Sequence, residues 1–342
     1  MLARHRRPGV YLLELSGEDD AFARREAAAA CSAVEPLAPG LATARGVTDR
    51  VRGLALTRSA SRLVGTGDAS VESAVALLEA APVDVPGDAT VAVRARDVRG
   101  LTGVSTSDAE RELGGVLTDR GFAVDLDAPD AVLRVLFSEE TCAVGWLHAE
   151  SVRDYGSRKP TDKPFFQPGS MDPILARAVA NVAGARPGAR LVDPMCGTGG
   201  VLVEAGLVGA DVVGNDAQRK MVRGARENLD HYLAAGTEGL PDPGRFDVVR
   251  GDATRLPLRD DCADGVVFDA PYGRQSKIAN RSLDALVADA LAEAARLAPR
   301  AVVVGDRSWV EEAEAAGWRV ESSFVRRVHA SLDRHVLVLD TG

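Results

Sequence analysis

The feature that most limits the fold of this 342-residue chain is a regular alternation of apolar runs and helical segments in its C-terminal half. RLVDPM, DVVGND, FDVVRGDA, GVVFDAP and RAVVVGDR each read as a short, valine-rich strand. GGVLVEAGLVG, AQRKMVRGARENLDHYL and RSLDALVADALAEAARLA lie among them with the apolar spacing of helices. Strands and helices in this order build a doubly wound, mainly parallel α/β sheet. WRVESSFVRRVH and RHVLVLDTG close the chain with only a short link between them, which predicts an antiparallel hairpin at the sheet edge.

The N-terminal half mixes strands and helices differently. PGVYLLELSG, residues 43–48 and 50–58, ATVAVRARDV, FAVDLD, AVLRVLF and TCAVGWLHAE read as strands. DDAFARREAAAACSAV, SVESAVALLEAA and STSDAERELGGVLTDRG read as helices, the last two opened by a capping Ser or Thr. This grouping predicts two small α+β units, residues 1–70 and 71–152. A stretch with three prolines and no period follows, and residues 153–165 are expected to be a linker to a domain at 166–342.

Composition narrows the function classes. No run of roughly 18 apolar residues exists, so no membrane span is predicted. The first 20 residues turn acidic too soon for a signal peptide. Cys31, Cys142, Cys196 and Cys262 are scattered, and neither they nor the five histidines show metal-ligand spacing. No metal site is expected, and a reducing cytoplasm is the expected compartment. Net charge is −9, and only four of the 41 basic residues are lysines. That balance argues against a generally basic surface but leaves room for a local arginine patch on phosphates. Arg153, Arg158, Lys159 and Lys163 in the linker are the candidates. The arginines of 219–226 are read as a solvated helix face.

Chemistry enters at LVDPMCGTGG, where a strand ends in Asp193 and a glycine-rich turn opens a helix. Glycines let backbone approach a ligand closely. Leu202 stands where a G-x-G-x-x-G fingerprint needs its third glycine, and no G-K-[ST] follows. A ligand without a diphosphate is therefore favoured, and S-adenosylmethionine fits. Asp193 suits its ammonium, Asp216 its ribose hydroxyls and Asp252 its adenine, all at the carboxyl ends of successive strands. Cys196 is read as a small packed residue, and His329 and His335 as packing or surface residues.

FDAPYGR places Asp269, Ala270, Pro271 and Tyr272 at the end of the fourth strand. Methylation of an exocyclic amine needs that amine aligned on the methyl donor, with acceptors for its N–H groups. Asp269 and the carbonyl of residue 270 are expected to supply them, with Tyr272 stacking on the base. Ala270 has the carbonyl but lacks the ring of a proline, so a looser, working loop is expected.

The chain resembles the archaeal tRNA guanine N2-methyltransferases that act on position ten, in which a THUMP domain precedes the catalytic domain. KPFFQPGSMDPILARAV, LVDPMCGTGG, FDAPYGR and RVHASLDRHVLVL carry the resemblance. Residues 90–150 look like the THUMP domain, and 1–70 like the ferredoxin-like unit before it. The resemblance implies a Rossmann-like class I AdoMet methyltransferase fold with a seven-stranded sheet. It also implies formation of N2-methylguanosine, and of the N2,N2-dimethyl form, in tRNA. Carried over by position, Asp193, Gly197, Gly199, Asp216, Asp252 and Ala253 belong to the cofactor site. Phe166, Pro168 and Ser170 lie beside the methionine end, and Phe165 and Phe166 are alternatively anchors for the linker. Ala270 departs from the family proline, and Gln167 from its common histidine. The catalytic chain is expected to be monomeric, with room for a small activator subunit. Methylation of another tRNA, rRNA or DNA amine or of a glutamine amide, and tRNA binding by a vestigial fold, remain open alternatives.

Overall fold

The computed structural model describes residues 9–271, 282–329 and 332–342. The chain divides into two units, Met1–Ser151 and Val152–Gly342. In the first, eight strands form one sheet in the order Glu35–Ala38, Leu41–Ala44, Tyr11–Leu15, Thr57–Asp68, Thr141–Glu150, Ala131–Ser138, Thr90–Asp97, Ala123–Val124. Thr57–Asp68 pairs antiparallel with Tyr11–Leu15 on one edge and with Thr141–Glu150 on the other. The sheet therefore runs unbroken across the residue-70 boundary expected from sequence. Residues 50–58 are not a strand: Asp49–Gly53 is a 3-10 turn, and the long strand begins only at Thr57. Ser70 and Ser105 do cap their helices, accepting from the N–H groups of Ser73 and Asp108. Val71–Ala80 and Thr106–Asp119 bury Leu78, Leu113 and Leu117 with Val91, Leu133, Val135 and Phe137.

The second unit begins with segment 152–170, which is not a solvated linker. Tyr155, Arg158 and Lys163 are buried in it. Helix α1 (Pro173–Ala183) follows and carries the usual end signals, Asp172 accepting from Ile174 N–H, Pro173 in the first turn and Gly184 left-handed at the end. The strands are β1 (Arg190–Asp193), β2 (Asp211–Asp216), β3 (Phe246–Arg250), β4 (Gly265–Asp269), β5 (Arg300–Gly305), β6 (Arg319–His329) and β7 (Leu332–Asp340). Between them lie α2 (Gly200–Leu207), α3 (Arg219–Ala235), α4 (Leu283–Leu297) and α5 (Val310–Ala315). The sheet order is β3-β2-β1-β4-β5-β7-β6. All pairs are parallel except those of β7, which lies antiparallel between β5 and β6.

Strand order reverses between β1 and β4, and the crevice outside the carboxyl ends there is where such sheets bind ligands. The central strands β1, β4 and β5 are buried on both sides. Val192, Val266, Phe268, Val303 and Leu337 pack under α4 with Trp309 and Trp318, which fixes the strand ends that line the crevice. No helix among the described residues is long and apolar enough to cross a membrane.

Candidate active site

Asp193 ends β1 almost fully buried, and its carboxylate accepts from Met195 N–H at 3.0 Å. The glycine turn after it is left-handed at Gly197 (φ 52°) and Gly199 (φ 75°). At Gly199 a side chain would also press on Ala225 of α3, so this turn needs glycine twice over. Asp216 ends β2 and pins the turn from the side: its two oxygens accept from Gly197 N–H at 3.1 Å and Gln218 N–H at 2.8 Å. A carboxylate has further lone pairs, so both aspartates can still accept from a ligand.

Burial holds the Asp193 carboxyl well above the usual range; Met195 N–H opposes this, and the charges of Asp216 and Asp269 add to it. Asp216 is also raised, first by burial. Three carboxyl groups at adjacent strand ends thus disfavour one another's charge in the empty crevice, and a cation placed among them would favour their ionised forms.

Asp252 lies two residues beyond β3 on an exposed turn, where it accepts from the N–H and hydroxyl of Thr254. Ala253 beside it is buried. From the segment before α1, Ser170 Oγ meets Thr198 Oγ1 of the glycine turn at 3.2 Å and donates to Gln167 O. Phe165 and Phe166 separate: Phe165 packs on Gly224 of α3, whereas Phe166 is 42% exposed and Pro168 is exposed. Asn228, fully buried on α3, ties these pieces together. It accepts from Phe165 N–H and donates to the carbonyls of Phe165 and Thr198, all at 2.9 Å. Nothing in the helical spacing of α3 marked Asn228 as more than a polar residue.

Asp269 ends β4 half-buried at the switch point, and Arg334 Nη2 of β7 approaches its Oδ2 at 3.7 Å. Arg334 is 5% exposed and had no role assigned from sequence, because only the fold brings the start of β7, with β5 between them, within reach of the carboxyl end of β4. Ala270 itself is held in place, whereas the loop expected to be looser lies, from Tyr272 on, outside the described residues. Ala270 is buried against the core, and its N–H donates to Val304 O of β5 at 2.7 Å. A proline has no N–H to give, so alanine exchanges ring stiffness for a hydrogen bond. Pro271 follows half-exposed, and Tyr272 lies outside the described residues.

Ala270→Pro should therefore lower stability by about 1–3 kcal/mol, the cost of leaving a buried acceptor without its donor. Thermal unfolding should shift down by roughly 3–10 °C. An unchanged midpoint would refute the role given to this bond.

The expected phosphate contacts divide. Arg153 and Lys159 are exposed. Arg158 is buried between Asp154 and Glu204, at 2.5 and 2.7 Å, and cannot reach a phosphate. Lys163 is likewise buried, at 7% exposure. The arginines of α3 are exposed, and Arg226 bonds back to Val248 O. Cys196 is buried against Gly214, with burial raising its thiol far above the usual range, so it is packing. A separate cavity of about 340 Å³ is lined by Arg190, Val213 and Cys262. It opens near the amino end of β1, away from Asp193.

Residues 160–335 match the sequence profile of the RMKL-like methyltransferase domain. The chain belongs to that family. A tRNA (guanine(10)-N2)-dimethyltransferase from Methanothermobacter thermautotrophicus is 36% identical over 250 residues, 71% of each chain. The protein of the same name from Pyrococcus abyssi is 29% identical over 240 residues, 68% of each. Among solved structures, TrmN from Thermus thermophilus is 25% identical with a TM-score of 0.51, covering 97% of this chain and 99% of that one. As an RMKL-like methyltransferase domain, the second unit has the class I AdoMet methyltransferase fold that its motifs predicted. Family and fold together imply use of S-adenosylmethionine.

Proposed function

We propose that this chain methylates the exocyclic N2 of guanine 10 in tRNA and adds a second methyl to the same nitrogen. The names of its relatives support a tRNA guanine as substrate. The observation that carries the chemistry is Asp269 at the carboxyl end of β4, beside the acidic crevice made by Asp193 and Asp216.

The residues fit S-adenosylmethionine, which carries ammonium and sulfonium charges and no phosphate: the crevice is lined by carboxyl groups that a cation would ionise, and the turn lacks a phosphate-binding lysine motif. When bound, it supplies an electrophilic methyl group. In this reading Asp193 holds the ammonium, Asp216 the ribose hydroxyls, and Asp252 with Ala253 the adenine. The backbone of Gly197 and Gly199 forms the floor, and Phe166, Pro168 and Ser170 flank the methionine end. Asp269 and the Ala270 carbonyl accept from the guanine amine, turning its lone pair toward the methyl group and easing the positive charge that grows on nitrogen. Tyr272 is the proposed stacking partner. A guanine within a stem must first leave its stack, which calls for flipping into the crevice.

The first unit is assigned tRNA docking through shape and backbone, with residues 1–70 as a ferredoxin-like part and 71–152 as a THUMP part. Arg153 and Lys159 are the nearest exposed cations on the adjoining segment. The unpaired state of Cys31, Cys142, Cys196 and Cys262 agrees with reaction in the cytoplasm. The test is nucleoside mass analysis of tRNA incubated with the protein and labelled S-adenosylmethionine, with the modified position mapped. Label in N2,N2-dimethylguanosine at position 10 is expected. Label on another base, or none, would overturn the reading.

A further inference from the structure

β7 runs antiparallel to its neighbours, so its first residues come back to the carboxyl ends of the parallel strands, where the crevice lies. Asp269 pairs with Val304 and Val304 with Val336, so these three side chains share one face of the sheet. Side chains alternate along a strand, and Arg334, two residues before Val336, returns to that face nearer the crevice. Two strand spacings, roughly 10 Å, separate β7 from β4, a gap that only a long side chain can bridge. Arg334 bridges it: its Nη2 lies 3.7 Å from Asp269 Oδ2, and the residue is 5% exposed.

A guanidinium held out of water needs a carboxylate within reach. In register on β6, Arg334 stands opposite Arg326, a second cation, and the next pair on its own face is Val304 with Val336. A carboxylate does lie across β5, on Asp269. Asp269 gains from the same pairing. Its charge acts on Asp193, and that repulsion is mutual, so a cation on its other side offsets it. At 3.7 Å the contact is ionic and too long for a hydrogen bond. It therefore steers the carboxylate without itself occupying the lone pairs that an amine would use.

We propose that Arg334 is a positioning residue for methyl transfer, fixing the Asp269 carboxylate in the orientation that receives the amine of the target guanine. It acts through Asp269 and does not touch the substrate. The planar guanidinium sets direction as well as charge, which a lysine ammonium does less well. This rests on the proposed function, which places the amine at Asp269, and the arms of the test separate the two.

Single-turnover methyl transfer to tRNA would be measured for wild type, Arg334→Met, Asp269→Ala and the double variant. Calorimetric affinities for S-adenosylhomocysteine and for tRNA would be measured beside it. Arg334→Met keeps the buried stem and should slow transfer about 100-fold, with both affinities within about threefold of wild type. In the Asp269→Ala background the same change should cost less than about threefold, because the group it acts through is already gone. Arg334→Lys should recover about tenfold of the loss. An equal cost with and without Asp269 would make Arg334 structural and overturn the proposal, as would an Arg334→Met rate within about threefold of wild type. Weakened tRNA affinity with an unchanged rate for the bound complex would overturn it in favour of an RNA contact. If Arg334→Met does not fold, the same cycle with Arg334→Lys decides. A loss of about tenfold that vanishes beside Asp269→Ala supports the proposal, and no loss, or an equal loss in both backgrounds, sinks it. Failure of the proposed function looks different, because wild type would then place no methyl on N2 of a tRNA guanine, whatever stands in place of Arg334.

Discussion

Asp269→Ala is expected to slow methyl transfer about a thousandfold, roughly 4 kcal/mol of barrier, while cofactor affinity changes only a few-fold. Asp269 stands at the end of β4, where the proposed function puts the guanine amine, and the Ala270 N–H that anchors the next residue bonds to Val304, not to the carboxylate. Removing the side chain therefore takes away the acceptor for the guanine amine and leaves the strand end in place. One of the charges acting on Asp193 also disappears, so a small loss of affinity for a cationic cofactor is expected. Asp269→Asn keeps one acceptor oxygen and should fall between alanine and wild type. Single-turnover rates with tRNA, measured beside calorimetric cofactor binding, separate the two effects. Turnover within tenfold of wild type would remove Asp269 from the chemistry.

The parallel sheet was readable because its strands are continuous valine-rich runs with helical stretches between them. A strand buried on both faces must look like that. α1 is less legible although Asp172, Pro173 and Gly184 mark its ends, since the proline-rich sequence before it reads as a linker. The central strand of the first unit was missed for a different reason. TRSASRLVGTGD is polar and small, and Thr57, Ser59 and Ser61 are buried only because neighbouring strands cover them. The same limit applies to charge. Arg158 and Lys163 look like solvated cations in sequence, and the first is inside because the fold brings Glu204 on α2 to it beside Asp154. Acidic strand ends were legible because β1, β2 and β4 each stop on aspartate. Asn228 and Arg334 were not, because their partners are separated from them by 63 and 65 residues of chain, as Phe165 and Asp269.

Asp193→Asn should raise the stability of the ligand-free protein above neutral pH and cost roughly a hundredfold in S-adenosylmethionine affinity. The sign follows from the direction of its shift. Burial, and then the charges of Asp216 and Asp269, hold the folded-state pKa of Asp193 above its unfolded value, against the opposing Met195 N–H. The protonated form is thus the one the fold prefers. Its contribution is fully present below the unfolded value, near 4, and is lost as pH rises through the folded pKa. Asparagine stays neutral and can still accept from Met195 N–H, so its advantage in thermal unfolding should be small at pH 4 and grow toward pH 8. Cofactor affinity runs the other way. The ammonium needs the carboxylate, so wild-type affinity should climb as Asp193 ionises, while that of Asp193→Asn stays low and much flatter with pH. A lower melting temperature for the variant at every pH would make Asp193 a structural residue. A pH-independent wild-type affinity would remove it from the ammonium site. Finding both expected slopes would mean that this strand end carries a charge the fold disfavours and the ligand requires.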